Sequence, residues 1–383
     1  MVSIISPSNY PLFLGGVQVL QALVAGNAVV WKPAPGGGAV AQRLAELGAE
    51  AGLPAGLLIV LEDTVEAGAA LLKEPVDKVV FTGGFANGTK VLQALSQRAI
   101  PAVLELSGCD AVFVRGDADV TLVAKALRFG LTFNQSRTCL APRRVFVERG
   151  RAAELESAIK DAFDSMNCRL FSTSSAGKSS ALSLWRAEAL RRGARIVYGD
   201  TANETSDAPY VLTDVPSDLM ADLGDFFSPI LCIIAVDSDA EALAAAAQCE
   251  YALGASVFST DLGAASEMAL KVRAGLVTVN DLIVPSADPR IPFGGSGRSG
   301  YGVTRGAEGL LELTRIKVLQ VRNGGSMAHL EPEEVSADLA MAMIRLTHGN
   351  GIWARLTGVV SLIKSGVLAW REARKSLKNK NVQ

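Results

Sequence analysis

The sequence predicts an α/β fold with parallel sheets, because short apolar runs alternate with segments of helical periodicity and the runs are apolar on both faces. In the first part of the chain the predicted strands are residues 2–5, 28–31, 57–61 and 78–81, and the predicted helices are residues 16–25, 39–51 and 65–72. Strands of this kind are typical of a sheet that helices cover on both sides.

A second α/β domain is predicted between about residues 107 and 305, where the same alternation returns. Its predicted strands are residues 111–114, 144–147, 230–236, 255–258 and 276–279, and its predicted helices are residues 121–131, 152–166, 240–247 and 264–272. Residues 311–321 are predicted as one further strand outside both sheets. These patterns divide the chain into residues 1–106, 107–305, 306–323 and 324–383, the last being a linker and a helical tail.

Composition argues against several classes of function. The 383 residues carry a net charge of −2, so the chain has no basic field for nucleic acid. The five cysteines show no C-x-x-C spacing, which does not favour a disulfide scaffold. The two histidines, His329 and His348, lie in the tail, which argues against a zinc site and against Ser-His or Cys-His catalysis.

Two residues are candidates for covalent or acid–base chemistry. Cys139 follows a polar turn in F-N-Q-S-R-T-C, and its neighbours do not decide between a buried spacer and a nucleophile. Glu105 lies in the apolar run V-L-E-L-S-G, where burial would raise the pKa of its carboxyl towards the range of a general base. The alternative for Glu105 is a structural bond to a buried arginine.

Three further segments suit ligand binding. Gly83 and Gly84, in F-T-G-G-F-A-N-G, form either a phosphate-binding turn before a helix or a plain connection. Lys32 ends a strand in W-K-P and is either a ligand for ribose or phosphate or a solvated surface lysine. The glycine-rich residues 291–302 suit a loop close to an active-site mouth, the alternative being a flexible linker.

Taken in order, these segments resemble the motifs of the aldehyde dehydrogenase superfamily, from the first residues to about residue 321. S-P-S-N-Y-P-L resembles P-W-N-[FY]-P, G-N-A-V-V-W-K-P-A resembles the strand that ends in K-P, and L-E-L-S-G resembles L-E-L-G-G. N-Q-S-R-T-C stands at N-x-G-Q-x-C, D-F-F-S-P at E-[IV]-F-G-P, and P-F-G-G-S-G-R-S-G-Y-G at P-F-G-G-x-K-x-S-G-x-G. Each motif is weak alone, but the shared order makes a chance match very improbable.

The resemblance implies a role for each matching residue. Cys139 would be the nucleophile, Glu105 the general base, and Asn9 an amide donor of the oxyanion hole. The implied cofactor is NAD or NADP, and the implied cofactor-binding residues are Ser6, Pro7, Lys32, Gly83, Gly84, Asp225 and Phe227. No metal is implied.

The resemblance also implies a fold, a reaction and an assembly. The fold would be aldehyde-dehydrogenase-like, with a Rossmann-like cofactor domain, a catalytic domain and an extra helical tail. The reaction would oxidise a small-molecule aldehyde to a carboxylic acid through a thioester on Cys139. The protein would be a homodimer or a higher homo-oligomer, with residues 311–321 as the assembly strand.

The chain departs from the family pattern at several positions. Ser136 and Arg137 replace Gly-Gln before the nucleophile, and the arginine would favour the thiolate, favour an anionic substrate or form a structural ion pair. Asp225 is one methylene shorter than the usual glutamate, which predicts a looser grip on the cofactor. Pro35 stands where many NAD-preferring members carry a glutamate, so NADP stays a candidate beside NAD.

The absence of histidine near the site leaves three ways to activate Cys139. The thiolate would depend on Glu105, on a nearby helix end or on the positive charge of the cofactor. Relatives that pass the thioester to coenzyme A typically lack the glutamate, so Glu105 favours hydrolysis to the acid.

The two ends of the chain suggest an alternative function. Family members carry a long segment before the first motif, so the cofactor domain is expected to be incomplete at its N-terminus, as in a fragment or a short relative.

Residues 351–370 are apolar but contain Arg355 and Lys364, and a basic cluster follows, which favours a helix on a membrane surface or docked on the protein. The alternative is a catalytically impaired relative that binds a partner or a membrane surface. The N-terminus lacks a signal-peptide pattern, which predicts a cytoplasmic protein, with membrane association through the tail.

Overall fold

The first sheet of the computed structural model is parallel except at one edge. Its strands are β1 Val2–Ile5, β2 Val29–Lys32, β3 Leu58–Val60, β4 Lys78–Thr82, β5 Ala102–Glu105 and the late strand β15 Gly300–Tyr301. They are ordered β15-β5-β4-β1-β2-β3, and β15 runs antiparallel to β5 with Gly300 opposite Glu105. Because the chain continues from β1 to one side and later crosses to β4 on the other, the sheet has a switch point beside β1, where α/β folds form their ligand crevice.

Four helices connect the strands of this sheet: α1 Pro11–Val24, α2 Gly38–Glu50, α3 Val65–Leu71 and α4 Phe85–Ser96. Pro11 occupies the first turn of α1, where its missing N–H costs nothing. The Thr64 hydroxyl caps α3 by accepting a hydrogen bond from the backbone of Ala67. The β-sheet core between them contains the fully buried side chains Ile4, Trp31 and Leu104.

The second sheet is larger and carries the remaining long strands. Its strands are β6 Asp110–Val114, β7 Pro142–Glu148, β8 Arg195–Tyr198, β9 Tyr210–Thr213, β10 Ile230–Val236, β12 Gly254–Phe258 and β13 Leu276–Val279. They are ordered β13-β12-β6-β7-β10-β9-β8, with only β8 antiparallel to its neighbour among these described strands. The helices of this part are α5 Val120–Thr132, α6 Ala152–Asp164, α7 Ser180–Arg191, α8 Asp239–Ala247 and α9 Leu262–Ala269.

A short two-stranded ribbon and a short helix complete the elements of this part of the chain. The strands β11 Tyr251–Ala252 and β14 Ser296–Gly297 form an antiparallel ribbon, and helix α10 Gly306–Glu312 follows β15.

The structure describes residues 1–165, 180–199, 208–322 and 337–380. Residues Met1–Ile316 form one compact unit and Lys317–Gln383 a second one.

The predicted strands and helices of both sheets are confirmed, with ends that move by a few residues. The sequence patterns missed β8 and β9, which lie at one edge of the second sheet. The predicted strand at residues 311–321 is not formed within the single chain, because residues 306–312 are helical and residues 315–322 have no regular structure; its pairing with a second copy stays a prediction. A strand needs a pairing partner, and none of the described strands lies beside this segment. The four-part division of the chain stays a prediction.

The second unit contains two helices that pack on each other, α11 Ala337–His348 and α12 Ile352–Lys380. A side chain at Gly358 would lie 2.7 Å from the backbone nitrogen of Leu346, so glycine allows the two helices to approach closely here. Of the helices in the described residues, none has the length and apolar character needed to cross a bilayer.

Candidate active site

The carboxyl edge of the first sheet collects residues that the sequence singled out. Ser6 follows β1, Lys32 ends β2, Gly83 follows β4 and Glu105 ends β5. Because parallel strands end at the same edge, four distant segments of the chain meet beside the switch point.

Glu105 is a buried carboxyl with few partners. Only 2% of the residue is exposed, the Thr304 hydroxyl donates a hydrogen bond to Oε2 over 3.3 Å, and Oε1 has no hydrogen-bond partner among the described residues. Burial raises the pKa of Glu105 to about 7, while the charge of Arg305 and the bond from Thr304 act in the opposite direction. A carboxyl with this pKa can both accept and release a proton near neutral pH, as a general base requires.

Strand β15 approaches β5 closely beside Glu105. Gly300 has φ +97°, and a side chain there would lie 2.0 Å from the Leu104 carbonyl oxygen. Only glycine therefore lets the glycine-rich loop pair with β5 opposite Glu105. This loop is consequently part of the site and no flexible linker.

Cys139 lies in the turn between a 3₁₀ helix, Phe133–Ser136, and strand β7. Its side chain is half-buried. Burial, followed by the negative charges of Glu105 and Asp110, raises the pKa of the thiol, and the charge of Arg305 partly offsets this rise. The thiol is therefore protonated at neutral pH until a base or a cation assists it.

The helix end beside Cys139 does not supply that assistance. The preceding helix α5 ends at Thr132, so the chain approaches Cys139 from the C-terminal end of a helix, whose dipole favours cations over thiolates. The part of the chain after Cys139 continues into β7. Of the three sources of activation that the sequence left open, this one is disfavoured by the structure.

The turn before Cys139 has an uncommon backbone. Asn134, Gln135 and Ser136 have φ values of +50°, +56° and +60°, so three successive residues with side chains adopt the left-handed conformation. The buried Arg143 holds this turn by donating to the Ser136 hydroxyl over 2.8 Å and to the Ser136 carbonyl over 3.2 Å. Backbone strain of this kind persists only where surrounding contacts enforce it, and it is concentrated at functional sites.

Asn9 and Tyr10 join the connection after β1 to the cysteine turn. The Asn9 amide donates to the Arg137 carbonyl over 3.0 Å, and Asn134 donates back to the Asn9 carbonyl over 3.0 Å. The Tyr10 and Thr138 hydroxyls are hydrogen-bonded at 2.8 Å. An amide nitrogen carries two hydrogens, so Asn9 keeps one for a ligand while the other positions the turn.

Arg305 is a further candidate site residue, and the sequence patterns missed it. It is 4% exposed, donates to the Ser286 carbonyl and stacks on Phe293 with its guanidinium 4.3 Å from the ring centre. No carboxylate lies within salt-bridge distance of it in the described part of the chain, and its charge lowers the pKa of both Glu105 and Cys139. A buried guanidinium without an ion pair is costly, and here the two candidate catalytic groups compensate it.

Arg137 does not take the role of an ion-pair partner. Its side chain is exposed and forms no salt bridge with the residues that the structure describes, while its carbonyl holds Asn9. The groups whose charges act on Cys139 are Glu105, Asp110 and Arg305. Of the roles expected for Arg137, recognition of an anionic substrate is the one that its exposure still permits.

The cofactor side of the crevice contains an unpaired buried cation. Lys32 is buried, and its ammonium makes no hydrogen bond or ion pair with the described residues. Burial lowers the pKa of Lys32, and the negative charges of Asp63 and Glu66 partly offset this effect. The Ser6 hydroxyl accepts a hydrogen bond from the Trp31 indole over 2.8 Å, so a ligand contact of Ser6 can come from its backbone. A lysine in this state fits the hydroxyls or phosphate of a nucleotide.

The turn after β4 presents an open helix N-terminus. A side chain added at Gly84, the residue before α4, would meet no atom within 4 Å, whereas one at Gly83 would lie 2.6 Å from the Phe81 ring. The backbone N–H groups at the start of α4 are therefore accessible to a phosphate, which a helix N-terminus favours. These features fit a dinucleotide.

Three remaining predicted cofactor residues are less informative. Phe227 is 40% exposed, and Pro7 follows Ser6 at the sheet edge with its side chain half-buried. Asp225 ends the 3₁₀ segment Ser217–Asp225, and its side chain lies outside the described part of the chain. Their contribution to binding stays a prediction.

The arrangement of a buried glutamate, a cysteine turn and a nucleotide-type crevice is matched by a known family. The model of the "Aldehyde dehydrogenase family" matches residues 1–319. The chain belongs to the aldehyde dehydrogenase family. Its parallel-sheet fold is the one seen in solved aldehyde dehydrogenases, such as that from Mycobacterium tuberculosis complexed with NAD⁺, with a TM-score of 0.76, 28% identity, and coverage of 85% of this chain and 70% of that chain.

Two curated aldehyde dehydrogenase relatives show how much of a family member this chain spans. It is 32% identical over 336 residues to aminoaldehyde dehydrogenase 2 of Malus domestica, covering 83% of this chain and 66% of that protein. It is 30% identical over 320 residues to 4,4'-diapolycopene aldehyde oxidase of Methylomonas sp, covering 82% of this chain and 60% of that protein. A second solved structure, an NADP-dependent glyceraldehyde-3-phosphate dehydrogenase from Bacillus halodurans C-125 complexed with NADP, has a TM-score of 0.75 and 32% identity over 82% of this chain and 67% of that chain.

The raised pKa of Glu105 predicts a pH-dependent effect of Glu105→Gln on stability. The unfolded carboxyl ionises from about 4.5 upwards, whereas the folded one ionises near 7, so folding loses stability as pH rises through this window. Glutamine does not ionise and therefore removes that loss. The free energy of unfolding of the variant, relative to that of wild type, should rise by about 2 kcal/mol from about pH 5 to about pH 8. Urea denaturation at both pH values measures the gain.

The matched control is Glu267→Gln, which replaces an exposed glutamate in α9. Its stability at each pH is the reference against which the pH dependence of Glu105→Gln is measured. Equal pH behaviour of Glu105→Gln and Glu267→Gln would contradict the raised pKa.

Proposed function

We propose that this protein oxidises an aldehyde to a carboxylic acid, with NAD⁺ or NADP⁺ as the hydride acceptor, through a thioester on Cys139. The observation that carries the proposal is the electrostatic interaction of Glu105, at the end of β5, with Cys139, in the turn before β7, and of both with the buried Arg305. The structures of relatives bound to NAD⁺ and to NADP support the cofactor.

In the first step, the Cys139 sulfur attacks the aldehyde carbon and forms a thiohemiacetal. The thiol proton passes to Glu105 directly or through water, since Glu105 can accept a proton near neutral pH. The free hydrogen of the Asn9 amide and the backbone N–H of Cys139 would stabilise the oxyanion, each donor being worth about 3–4 kcal/mol. The left-handed turn at Asn134, Gln135 and Ser136 holds this N–H in place.

In the second step, loss of hydride converts the thiohemiacetal into a thioester. When bound, NAD⁺ or NADP⁺ supplies the acceptor for that hydride. Glu105 first releases the thiol proton to solvent. It then takes a proton from water, whose oxygen attacks the thioester carbon; the carbon–sulfur bond breaks, the acid leaves, and the Cys139 sulfur takes that proton back from Glu105. Arg305 keeps part of the Glu105 population ionised for this step, because its charge opposes the effect of burial.

The cofactor would lie along the carboxyl edge of the first sheet. Lys32 would bond the adenosine ribose, and the turn at Gly83 and Gly84 would receive the pyrophosphate at the start of α4. Ser6 and Pro7 line the same edge, and Asp225 and Phe227 would hold the nicotinamide riboside.

Assembly into a homo-oligomer is proposed from the exposed segment after α10. Ile316, Val318 and Leu319 are more than 80% exposed in a stretch without regular structure. Such an apolar, unpaired backbone segment is suited to adding a strand to a second copy of the chain.

The proposed reaction is tested by mixing the folded protein with NAD⁺ or NADP⁺ and a panel of aldehydes, while the absorbance of the reduced cofactor is followed. Cys139→Ser should lower turnover at least about 10³-fold, because it removes the nucleophile. Glu105→Gln should still release about one equivalent of reduced cofactor in a burst, formed more slowly because the acceptor of the thiol proton is lost, with later turnovers slowed about 10²–10⁴-fold.

The burst separates the roles of the two residues. A burst that disappears in Glu105→Gln while steady turnover persists would contradict the assignment of Glu105 to acid release. Unchanged turnover in Cys139→Ser would contradict the thioester route, with circular dichroism confirming that each variant is folded.

A second role, binding to an anionic membrane surface, is proposed for the helical tail. Many large apolar side chains of α11 and α12 are exposed, among them Trp353 at 79%. The exposed set is Met341, Met343, Ile344, Leu346, Ile352, Trp353, Leu356, Val359, Val360, Ile363 and Val367. The sequence that follows, R-E-A-R-K-S-L-K-N-K, is basic, and apolar side chains next to lysines and arginines suit a surface of anionic lipid.

Vesicle flotation tests this role with the full chain. Wild type should float with vesicles that contain anionic lipid and bind less at high salt. The double variant Trp353→Asp, Ile363→Asp should bind at least about tenfold less, because it places charges in the apolar contact.

The control is Leu262→Asp, which makes the same kind of change at a 62% exposed leucine outside the tail and should float like wild type. Wild type that stays with the unbound fraction, or a double variant that floats equally, would contradict membrane binding and favour a tail docked on protein.

A further inference from the structure

A carboxylate lies near Lys32 at the carboxyl edge of the first sheet. Strands β2 and β3 are parallel neighbours, with Trp31 paired to Val60, so the segments that follow the two strands lie side by side. Asp63 comes shortly after β3, and its side chain is half-buried. The lysine that would bond the adenosine ribose therefore has a negative charge in its neighbourhood.

The Asp63 carboxylate holds the start of helix α2. Its Oδ2 accepts a hydrogen bond from the backbone N–H of Gly36 over 2.9 Å and one from that of Gly38 over 3.2 Å. A side chain added at Gly38 would lie 3.0 Å from the same oxygen, so the glycine gives the carboxylate room. Free N–H groups at a helix start are suited to an anion, but here Asp63 already bonds two of them.

The turn before α2 has no charged side chain of its own. It reads P-A-P-G-G-G over residues 33–38. Gly36 has φ +85°, in the left-handed region that favours glycine, so the turn also depends on a residue without a side chain. The carboxylate at this turn is thus supplied by the neighbouring strand, through Asp63.

The groups at this point suit a ribose hydroxyl. The buried Lys32 ammonium and the Asp63 carboxylate form no ion pair with each other in the described structure, so a ligand can bond to both. A hydroxyl can accept a hydrogen bond from an ammonium and donate one to a carboxylate. In other dinucleotide sites a carboxylate that bonds the ribose 2′-hydroxyl is typical of NAD, whereas a nearby arginine accommodates the 2′-phosphate of NADP.

The same groups disfavour a phosphate at the 2′ position. A 2′-phosphate has lost the hydroxyl hydrogen that a carboxylate could accept, and it adds negative charge. Asp63 and Glu66 both act on Lys32 with negative charges, Asp63 more strongly, so one cation already faces two anions. The phosphate would be repelled by these carboxylates, and it would find the N–H groups of Gly36 and Gly38 occupied.

We propose that Asp63 makes this site selective for NAD⁺ over NADP⁺. Its carboxylate accepts a hydrogen bond from the ribose 2′-hydroxyl and repels a phosphate attached to that oxygen. The inference rests on the proposed function, because it takes the nucleotide to lie along this sheet edge. It goes beyond that function by naming the cofactor and the residue that selects it.

Equilibrium binding tests the selectivity without turnover. The dissociation constants of NAD⁺ and NADP⁺ for the folded full chain are measured by isothermal titration calorimetry, with no aldehyde present. Wild type should bind NAD⁺ at least about 30-fold more tightly than NADP⁺. In Asp63→Asn this ratio should fall at least about tenfold, chiefly because NADP⁺ binds more tightly once the charge is removed. The asparagine oxygen can still accept from Gly36 and Gly38, so the turn is kept.

The matched control is Glu62→Gln, which neutralises the preceding carboxylate. Glu62 is exposed and is not among the groups whose charges act on the pKa of Lys32. This variant should keep the wild-type ratio of the two dissociation constants. A ratio that falls equally in Glu62→Gln and Asp63→Asn would show a general effect of surface charge and would overturn the role of Asp63.

The remaining outcomes separate this inference from the proposed reaction. Equal binding of the two nucleotides by wild type, or a preference for NADP⁺, would overturn the selectivity while leaving the reaction intact. An unchanged ratio in a folded Asp63→Asn would do the same. Binding of neither nucleotide would overturn both proposals. A strong preference for NAD⁺ in a protein that oxidises none of the aldehydes would support the role of Asp63 and contradict the reaction alone.

Discussion

The backbone contact between β5 and the glycine-rich loop is the constraint on which the rest of this site depends. Strand β5 ends at the buried Glu105, and β15 pairs beside it in a way that only glycine at position 300 permits. The same loop continues to Thr304, which donates to the carboxyl, and to Arg305, whose charge acts on it. A contact between segments nearly two hundred residues apart in the chain thus brings together the groups that influence the pKa of Glu105.

The features that would make this site reactive also lower the stability of the fold. Within the part of the chain that the structure describes, Glu105 is desolvated with one oxygen unpaired and Arg305 is buried without an ion pair. Three residues before Cys139 adopt the left-handed conformation. Each of these features typically costs on the order of 1–3 kcal/mol. The apolar clusters of the two sheets offset this cost. The result is a carboxyl, Glu105, and a thiol, Cys139, whose pKa values depend on each other and on the charge of Arg305.

The sequence predicted the parts of this architecture that depend on local patterns. Apolar runs identified the central strands. Lys32 was singled out at the end of a strand, Gly83 in a turn before a helix, and Glu105 as a carboxyl inside an apolar run. Arg305 could not be found in this way, because its importance comes from burial beside residues far away in the sequence. The bond between Tyr10 and Thr138 joins residues 128 positions apart and leaves no local signal.

Two segments differ from the sequence prediction for different reasons. Residues 311–321 have the composition of a strand, but pairing depends on a neighbour that a single chain does not provide. Strand β8, at the outer end of its sheet, keeps Arg195 exposed and so lacks the continuous apolar character of the central strands. Strand β9 is buried along its length, and nothing in the structure explains why it was missed.

The most direct test of this account is the pH dependence of acid release in a single turnover, measured by acylating Cys139 and following hydrolysis of the thioester. Because the folded carboxyl of Glu105 has a pKa of about 7, the rate should rise with pH to a plateau with its midpoint near 7. The dependence should vanish in Glu105→Gln. A midpoint near the ordinary carboxyl value of 4.5, or the same midpoint in Glu105→Gln, would contradict the claim that the buried Glu105 is the base.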